Sequence, residues 1–488
     1  MLVGVTIYDV TQKRHAILRN FPVVGHLRFV LEKIGPELRQ YIVTDNDEER
    51  PFSRDQRRWV YATAKQQNPY FGFGTDNDVD LAGQIIIKHS AFPLLGKHDD
   101  APQVPAPKVL GGWRGRERAF RPPSIVNVSA MSFGSLSGPA VQALNEGAVH
   151  AGYLHNTGEG GICEYHRRGG DLIYQVGTGY FGCRSTDGGF SKDRFLEAVA
   201  SAPVRAVEIK LSQGAKPGIG GLLPAKKVTA EIANARGVQA GVAVESPARH
   251  SAFNDVDGLI DFVEQLANAT GLPVGIKSAV GQMDFWALLA QRMASTGRGP
   301  DFVTVDGGEG GTGAGPLVFT DNVAYPFRTA MAKVYGCFVA EDLHRDVVFM
   351  GAGKLGYPEN AVAAFALGCD MINVGREAMM AIGCIQAQEC HTGHCPTGVA
   401  THSRWLTHGL DPTSKAVRVA NYVTHLRFDL LRLAQAGGVR HPALLPSDTV
   451  EIALGSGKTS TLTDQYDLPP TIDRLHPSDT RILEGPPQ

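Results

Sequence analysis

Short apolar, β-rich runs alternate with glycine clusters through the middle of the chain, and the alternation has eight beats. The runs are IVNVS at 125–129, GYLH at 152–155, LIYQV at 172–176, AVEIK at 206–210, PVGIK at 273–277, FVTV at 302–305, VVFM at 347–350 and MINV at 371–374. Runs of this length, bounded by turn residues, suit buried strands better than helices. Helical patterns lie between several of them. Val256, Leu259, Ile260, Val263, Leu266 and Ala267 fall on one face, 283–295 behaves similarly, and 358–367 opens with a proline suited to a first turn. Eight strands alternating with helices predict an α/β fold with a parallel sheet, here a (β/α)8 TIM barrel over 124–405. Glycine clusters follow nearly every run, at the strand ends where a barrel collects its functional loops. A dinucleotide-binding sheet would instead place G-x-G-x-x-G after its first strand, whereas GEGGTG at 308–313 follows the sixth run.

The flanks read differently. Residues 1–123 predict an N-terminal helical extension and linker. In it, Leu27, Val30, Leu31, Ile34 and Leu38 form one amphipathic helix that Gly35-Pro36 can kink. Residues 101–123, with PQVPAPK and the basic WRGRERAFRPP, read as an extended connection into the barrel. Residues 406–488 predict a helix over 413–437 and then an irregular polar tail, the last ~20 residues forming a surface arm.

Composition narrows the function classes. Net charge is −2, which gives no electrostatic case for nucleic acid or an anionic membrane surface. No stretch approaches the ~18 apolar residues of a membrane span, and the first residues lack a signal-peptide pattern, so a cytoplasmic protein is expected. Seven cysteines argue against a disulfide framework. Cys163, Cys183, Cys337 and Cys369 sit among apolar or glycine neighbours as small core side chains, whereas Cys384, Cys390 and Cys395 crowd into twelve residues as C-x5-C-x4-C. Three such thiolates suit a [3Fe-4S] cluster. Zinc completed by His391 or His394 is the alternative.

Other candidates sit at the strand ends. Run seven leads into Gly351-Ala352-Gly353 and run eight into Gly375-Arg376, the two places where barrels hold a phosphorylated cofactor through backbone N–H groups. Lys277 closes run five as a single cation, suited to the anionic edge of a reduced flavin or to a carboxylate partner. Ser129, Ala130, Met131 and Ser132 close run one with small residues that can lie under a flat ring, and Gln175 in run three can reach its pyrimidine edge. Lys210, Gln213, Lys216 and Lys227 on a glycine-rich loop suit the carboxylates of an acidic substrate, or else face water. Glu159, after run two, can handle a proton or orient an amine, or form a structural ion pair.

Together the segments SAMSFGSLSGPA (129–140), NTGEGG (156–161), QVGTGYFG (175–182), IKLSQGAKPGIGGLLP (209–224), GGTGAGP (310–316) and GCIQAQECHTGHCPTGVAT (383–401) resemble the FMN-binding synthase domain of glutamate synthases. The resemblance implies a barrel holding FMN, with Gly310 and Gly311 in a cofactor loop, beside a [3Fe-4S] cluster. It implies reduction of the imine of 2-oxoglutarate and ammonia, with electrons from a donor such as ferredoxin or a separate reductase subunit. It favours iron over zinc, and points to a stand-alone synthase without the glutaminase domain, served by ammonia, another amine or a separate amidotransferase subunit. Three positions depart from the family: Ile219 and Leu222 stand where polar residues are usual, and Tyr180 where arginine is usual. Related readings are an oxidoreductase for another amine or N-substituted glutamate, and a non-catalytic electron relay or redox sensor.

Overall fold

Each of the eight apolar runs supplies a strand of one closed parallel barrel. The computed structural model describes residues 2–70, 72–94, 103–468 and 473–484. The strands are β1 (Val126–Val128), β2 (His155–Asn156), β3 (Leu172–Val176), β4 (Val204–Lys210), β5 (Val274–Ser278), β6 (Phe302–Asp306), β7 (Val348–Ala352) and β8 (Met371–Val374). They pair in sequence order around the ring, which closes where β8 pairs β1 at Val374 and Val128. This is a (β/α)8 barrel with flanking helices, as the pattern predicts. The helices start and stop where local chemistry directs. Val256–Thr270 is capped by the Asp255 side chain accepting from Gly258 N and ends at left-handed Gly271, and Pro358 opens Pro358–Ala366.

The linker before β1 does more than connect. Ala106 and Leu110 are fully buried in a cluster with Leu154, Ile173, Ala206, Phe302, Val348, Met350 and Met371 from the barrel. Its basic residues are spent on ion pairs: Arg114 and Arg116 meet Glu264, and Arg116 also meets Asp301 at 3.1 Å. Lys108 Nζ donates to His344 O (2.7 Å), Val347 O (2.9 Å) and Asp370 Oδ2 (3.0 Å), all buried. Lys108→Met leaves the Asp370 carboxylate without its cation, so thermal unfolding should show a loss of about 3–5 kcal/mol. An unchanged melting temperature would refute that account.

Helix Pro412–Ala436 packs on helix Gly138–Ala151. Gly147 is the close point, since a Cβ there would lie 2.4 Å from Val419 Cγ1. The expected irregular tail also contains a hairpin, Val450–Gly455 with Lys458–Thr461, and Ile85–Ile87 adds to it as a third antiparallel strand. The expected surface arm is partly docked: Leu475 is buried and Arg474 Nη1 donates to Phe365 O at 2.7 Å. Its residues 469–472 and 485–488, and the start of the connection within 95–102, lie outside the described residues.

Two compact units divide the chain, Met1–Trp59 and Val60–Gln488. The first is helical, and the amphipathic pattern around Leu31 does form a helix, His26–Leu38, with Pro36 inside it.

Candidate active site

The strand period of two puts Glu208 and Lys210 on one side of β4, facing the barrel interior and its mouth. Glu208 is 0% exposed and accepts three hydrogen bonds, from Asn156 Nδ2 of β2 (2.8 Å), Gln175 Nε2 of β3 (2.7 Å) and Thr304 Oγ1 of β6 (2.7 Å). One carboxylate therefore ties three strands across the barrel. Lys277 on β5 pairs with Asp306 at the end of β6, 3.3 Å away. Burial alone would favour the neutral amine, but Asp306, Glu208 and Glu159 outweigh it and raise Lys277 above the usual lysine range. Lys277 is thus a permanent cation inside the mouth.

Above this layer Lys210 Nζ donates to Glu159 Oε1 (2.6 Å) and to Gln213 Oε1 (2.8 Å). Burial pushes the Glu159 carboxyl up, but Lys210, then Arg236 and Lys216, hold it below the ordinary carboxylate range. Three of the predicted substrate residues are therefore together. Lys216 is committed to backbone, donating to Gly220 O and Ala314 O at 3.1 Å each, and so joins the β4 and β6 loops. Lys227 lies elsewhere, donating to Cys390 O at 2.7 Å.

These loops meet backbone to backbone. A Cβ on Gly214 would lie 1.8 Å from Gly307 O. Gly214→Ala should therefore pry the β4 and β6 loops apart and lower stability by about 1–3 kcal/mol. Calorimetry that finds no change would show that the loops can part freely.

Tyr180, where the resembled family has arginine, has a structural use. At φ +50 it turns its hydroxyl to accept from Ser251 N (3.1 Å) and Ala252 N (3.0 Å). His250 Nε2 lies 2.9 Å from Lys210 O, so it carries the proton and donates. Nδ1 is then left to accept from Tyr180 Oη at 3.2 Å. Burial drives the His250 pKa down to about 4, despite that carbonyl. The imidazole is neutral near pH 7 and braces the backbone of Lys210.

The chemistry of the remaining strand ends can be compared with a phosphorylated flavin. Ser129 to Ser132 follow β1, and Gly158 lies so close that a Cβ would meet Ser132 N at 2.5 Å. Gly353 has φ +135, outside the range of L side chains, and a Cβ on Gly375 would meet only Ser129 Cβ, at 3.7 Å. Arg376 donates to Glu309 O, a Cβ on Gly311 would meet its Cδ at 2.6 Å, and one on Gly310 would meet Ala215 N at 3.3 Å. Gly351 is walled by Phe327, 2.7 Å from a built Cβ. Open backbone at two adjacent strand ends, a half-buried guanidinium and a buried, charged lysine make a donor set that fits an anionic cofactor.

The three clustered cysteines share one irregular loop. Gln386 and Gln388 within it have φ +60 and +57, strain of the kind that concentrates at functional sites. Tyr61 Oη fixes the loop by donating to Cys384 O at 2.8 Å. His391 and His394, the residues a zinc site would recruit, are exposed, while Cys395 is buried. Among the described residues no three His, Cys, Asp or Glu side chains converge on a single ion.

Comparison with known proteins shows what the chain is similar to. Residues 116–440 match the family described as the conserved region in glutamate synthase. The glutamate synthase large subunit-like protein YerD of Bacillus subtilis (strain 168) is 38% identical over 471 residues, covering 89% of each chain. A glutamate synthase large subunit-like protein of Rhizobium meliloti (strain 1021) is 28% identical over 399 residues, 78% of this chain and 84% of that one. The archaeal-type glutamate synthase [NADPH] of Thermotoga maritima is 37% identical over 300 residues, and the match spans 61% of this chain and 56% of that protein. With two thirds of its length matched and the barrel mouth built from the matching segments, this chain belongs to the glutamate synthase family.

Proposed function

We propose that the chain is an oxidoreductase acting on CH-NH2 donors, which reductively aminates a 2-oxo acid, 2-oxoglutarate with ammonia giving glutamate. The observation that carries this reading is the half-buried Lys210–Glu159–Gln213 group, with Lys210 Nζ 2.6 Å from Glu159 and 2.8 Å from Gln213, in the same mouth as Lys277. In this reading a bound FMN would supply the hydride equivalent for the imine of the 2-oxo acid, and Cys384, Cys390 and Cys395 would hold a [3Fe-4S] cluster that would supply one-electron chemistry toward a ferredoxin-like or separate reductase partner. Gly351, Gly353, Gly375 and Arg376 would hold the FMN phosphate, Gly310 and Gly311 would belong to the same cofactor loop set, and Ser129, Ala130, Met131, Ser132, Gln175 and Lys277 would hold its ring.

The rest follows from the chain's own groups. Lys210 releases Glu159 Oε1 to take a substrate carboxylate, with Gln213 as second donor through its amide. Glu159 loses the neighbour that most holds its proton affinity down, so it then accepts a proton or an N–H from the incoming amine. His250 keeps the Lys210 backbone in place during this exchange. Barrel residues 124–405 carry all of these groups.

The test is anaerobic. Photoreduced protein is mixed with 2-oxoglutarate and ammonium, and flavin reoxidation and glutamate are followed together. No reoxidation by any 2-oxo acid plus amine would leave the electron-relay reading instead. One feature favours a bulkier or less polar substrate: Leu222, 46% exposed, and half-buried Ile219 sit on the loop beside Gly220 and Gly221. If so, N-substituted or apolar 2-oxo acid derivatives will reoxidise the protein faster than 2-oxoglutarate.

A further inference from the structure

The first unit, Met1–Trp59, has almost no interior. Among its described residues Leu18 and Phe52 are the large apolar side chains that are buried. Helix His26–Leu38 carries Leu27, Val30, Leu31, Ile34 and Leu38 at helical spacing, yet none of its residues is buried. Leu27 is 61% exposed, Leu31 59% and Ile34 42%. Tyr41 and Ile42 continue the same exposed face past the helix end. Helix Leu2–Thr11 repeats the arrangement: its one buried residue is Asp9, held by His26 Nε2 at 3.0 Å and Val23 N at 2.9 Å, while Leu2, Val3, Ile7 and Tyr8 are exposed. An apolar stripe of this width normally faces a core. Here the polar residues knit the helices together, and the apolar ones face outward.

Charge indicates what covers this face. Over residues 2–43, Lys13, Arg14, Arg19, Lys33 and Arg39 are exposed, Arg28 is ion-paired with Glu32 at 2.7 Å, and Glu37 is the other exposed carboxylate. The whole chain is net −2, and that average hides this local excess of cations. Two copies meeting through this face would bring like charges together, and its apolar positions are wider than a two-position coiled-coil seam. An apolar face bordered by lysine and arginine is the composition of a helix lying in the plane of an anionic bilayer surface. No helix among the described residues is long and apolar enough to cross a membrane.

We propose that residues 2–43 dock the protein on an anionic lipid surface, with the Leu27–Leu38 stripe entering the interface and the surrounding cations on the headgroups. This does not depend on the reaction assigned to the barrel. The full chain is floated with vesicles of phosphatidylcholine alone and with vesicles holding equal phosphatidylglycerol. About tenfold more protein should rise with the anionic vesicles, and added salt should weaken the effect. Leu31→Glu with Ile34→Glu should abolish flotation while circular dichroism and thermal unfolding stay unchanged, because both positions are exposed. Lys33→Glu with Arg39→Glu should remove the preference for anionic vesicles. Failure to float with either vesicle, or flotation that survives Leu31→Glu/Ile34→Glu, overturns the proposal. So does a concentration-dependent dimer that the same variant dissolves without any vesicle binding, which would assign the face to a second copy.

Discussion

Lys210→Met is expected to slow reduction of a 2-oxo acid imine by a factor of about thirty to several thousand, the equivalent of about 2–5 kcal/mol for truncating a half-buried, hydrogen-bonded charge pair. The variant should still retain its flavin, because Lys277, Arg376 and the glycine loops are untouched. Two losses combine. The substrate carboxylate loses its cation, and Glu159 loses the strongest influence opposing its burial. The sign in pH follows. In the wild type the Glu159 pKa is depressed, so it is ionised at neutral pH and its pairing contributes stability that disappears only as pH falls through that depressed value. Without Lys210, burial dominates and the carboxyl titrates at higher pH. The acid limb of the activity profile should therefore move upward in Lys210→Met, and stability at neutral pH should fall. Lys210→Arg should recover part of both. Flavin reoxidation by substrate that is unaltered in Lys210→Met and in Glu159→Gln would show that the substrate binds elsewhere.

The barrel could be read from the sequence because its signal is repeated. Eight apolar runs, most of them followed within a few residues by glycine, fix strand order with little help from tertiary context, and the structure follows them within a residue or two at most ends. The run at 152–155 is the exception that explains the rule: Gly152 is the left-handed cap of the preceding helix, and the strand begins only at His155. The hairpin at 450–461 is weakly signalled: VEIAL followed by GSGK carries alternation and a turn, but it is a single short run inside a polar, proline-bearing tail.

Residue types at the strand ends were legible in the sequence, but their pairing was not. A lysine on a glycine loop looks the same in sequence whether it meets substrate or a carbonyl. Only the fold shows that Lys210 faces Glu159, that Lys216 spans two loops, and that Lys227 reaches the cysteine loop. Glu208 and Asp306 were overlooked. Each had a signal: Glu208 interrupts an apolar run two residues before Lys210, and Asp306 directly follows FVTV. A carboxylate within a buried strand needs partners, and asking for them would have led to Gln175, Thr304 and Lys277. His250 and Arg236 had no comparable signal, because their partners are backbone atoms and distant loops. The amphipathic helix at 26–38 was recognised, but which way its apolar face points depends on what packs against it, and no periodicity encodes that.

Cys390→Ser should lose the iron altogether, the largest single effect expected in this chain. Anaerobic wild-type protein should hold about three irons and show a paramagnetic signal when oxidised, as three thiolates around a [3Fe-4S] cluster require. Cys390 sits between strained Gln388 and the turn at Gly393, with its carbonyl held by Lys227 Nζ at 2.7 Å. A serine there keeps the loop's shape but offers a hard, protonated oxygen to a site that needs a soft thiolate. Cys369→Ser is the control: Cys369 is buried away from this loop, so iron should remain although a buried hydroxyl costs about 1–3 kcal/mol of stability. Lys227→Met separates the loop's shape from its charge. It removes one hydrogen bond to the loop and the cation nearest to Cys390 and Cys395. Iron should stay bound, while the midpoint potential becomes more negative, because the added electron loses a positive neighbour. Stoichiometric zinc without iron in the wild type would overturn the cluster and assign the loop to a structural metal. An iron content in Cys390→Ser equal to that of the wild type would place the third ligand on another residue.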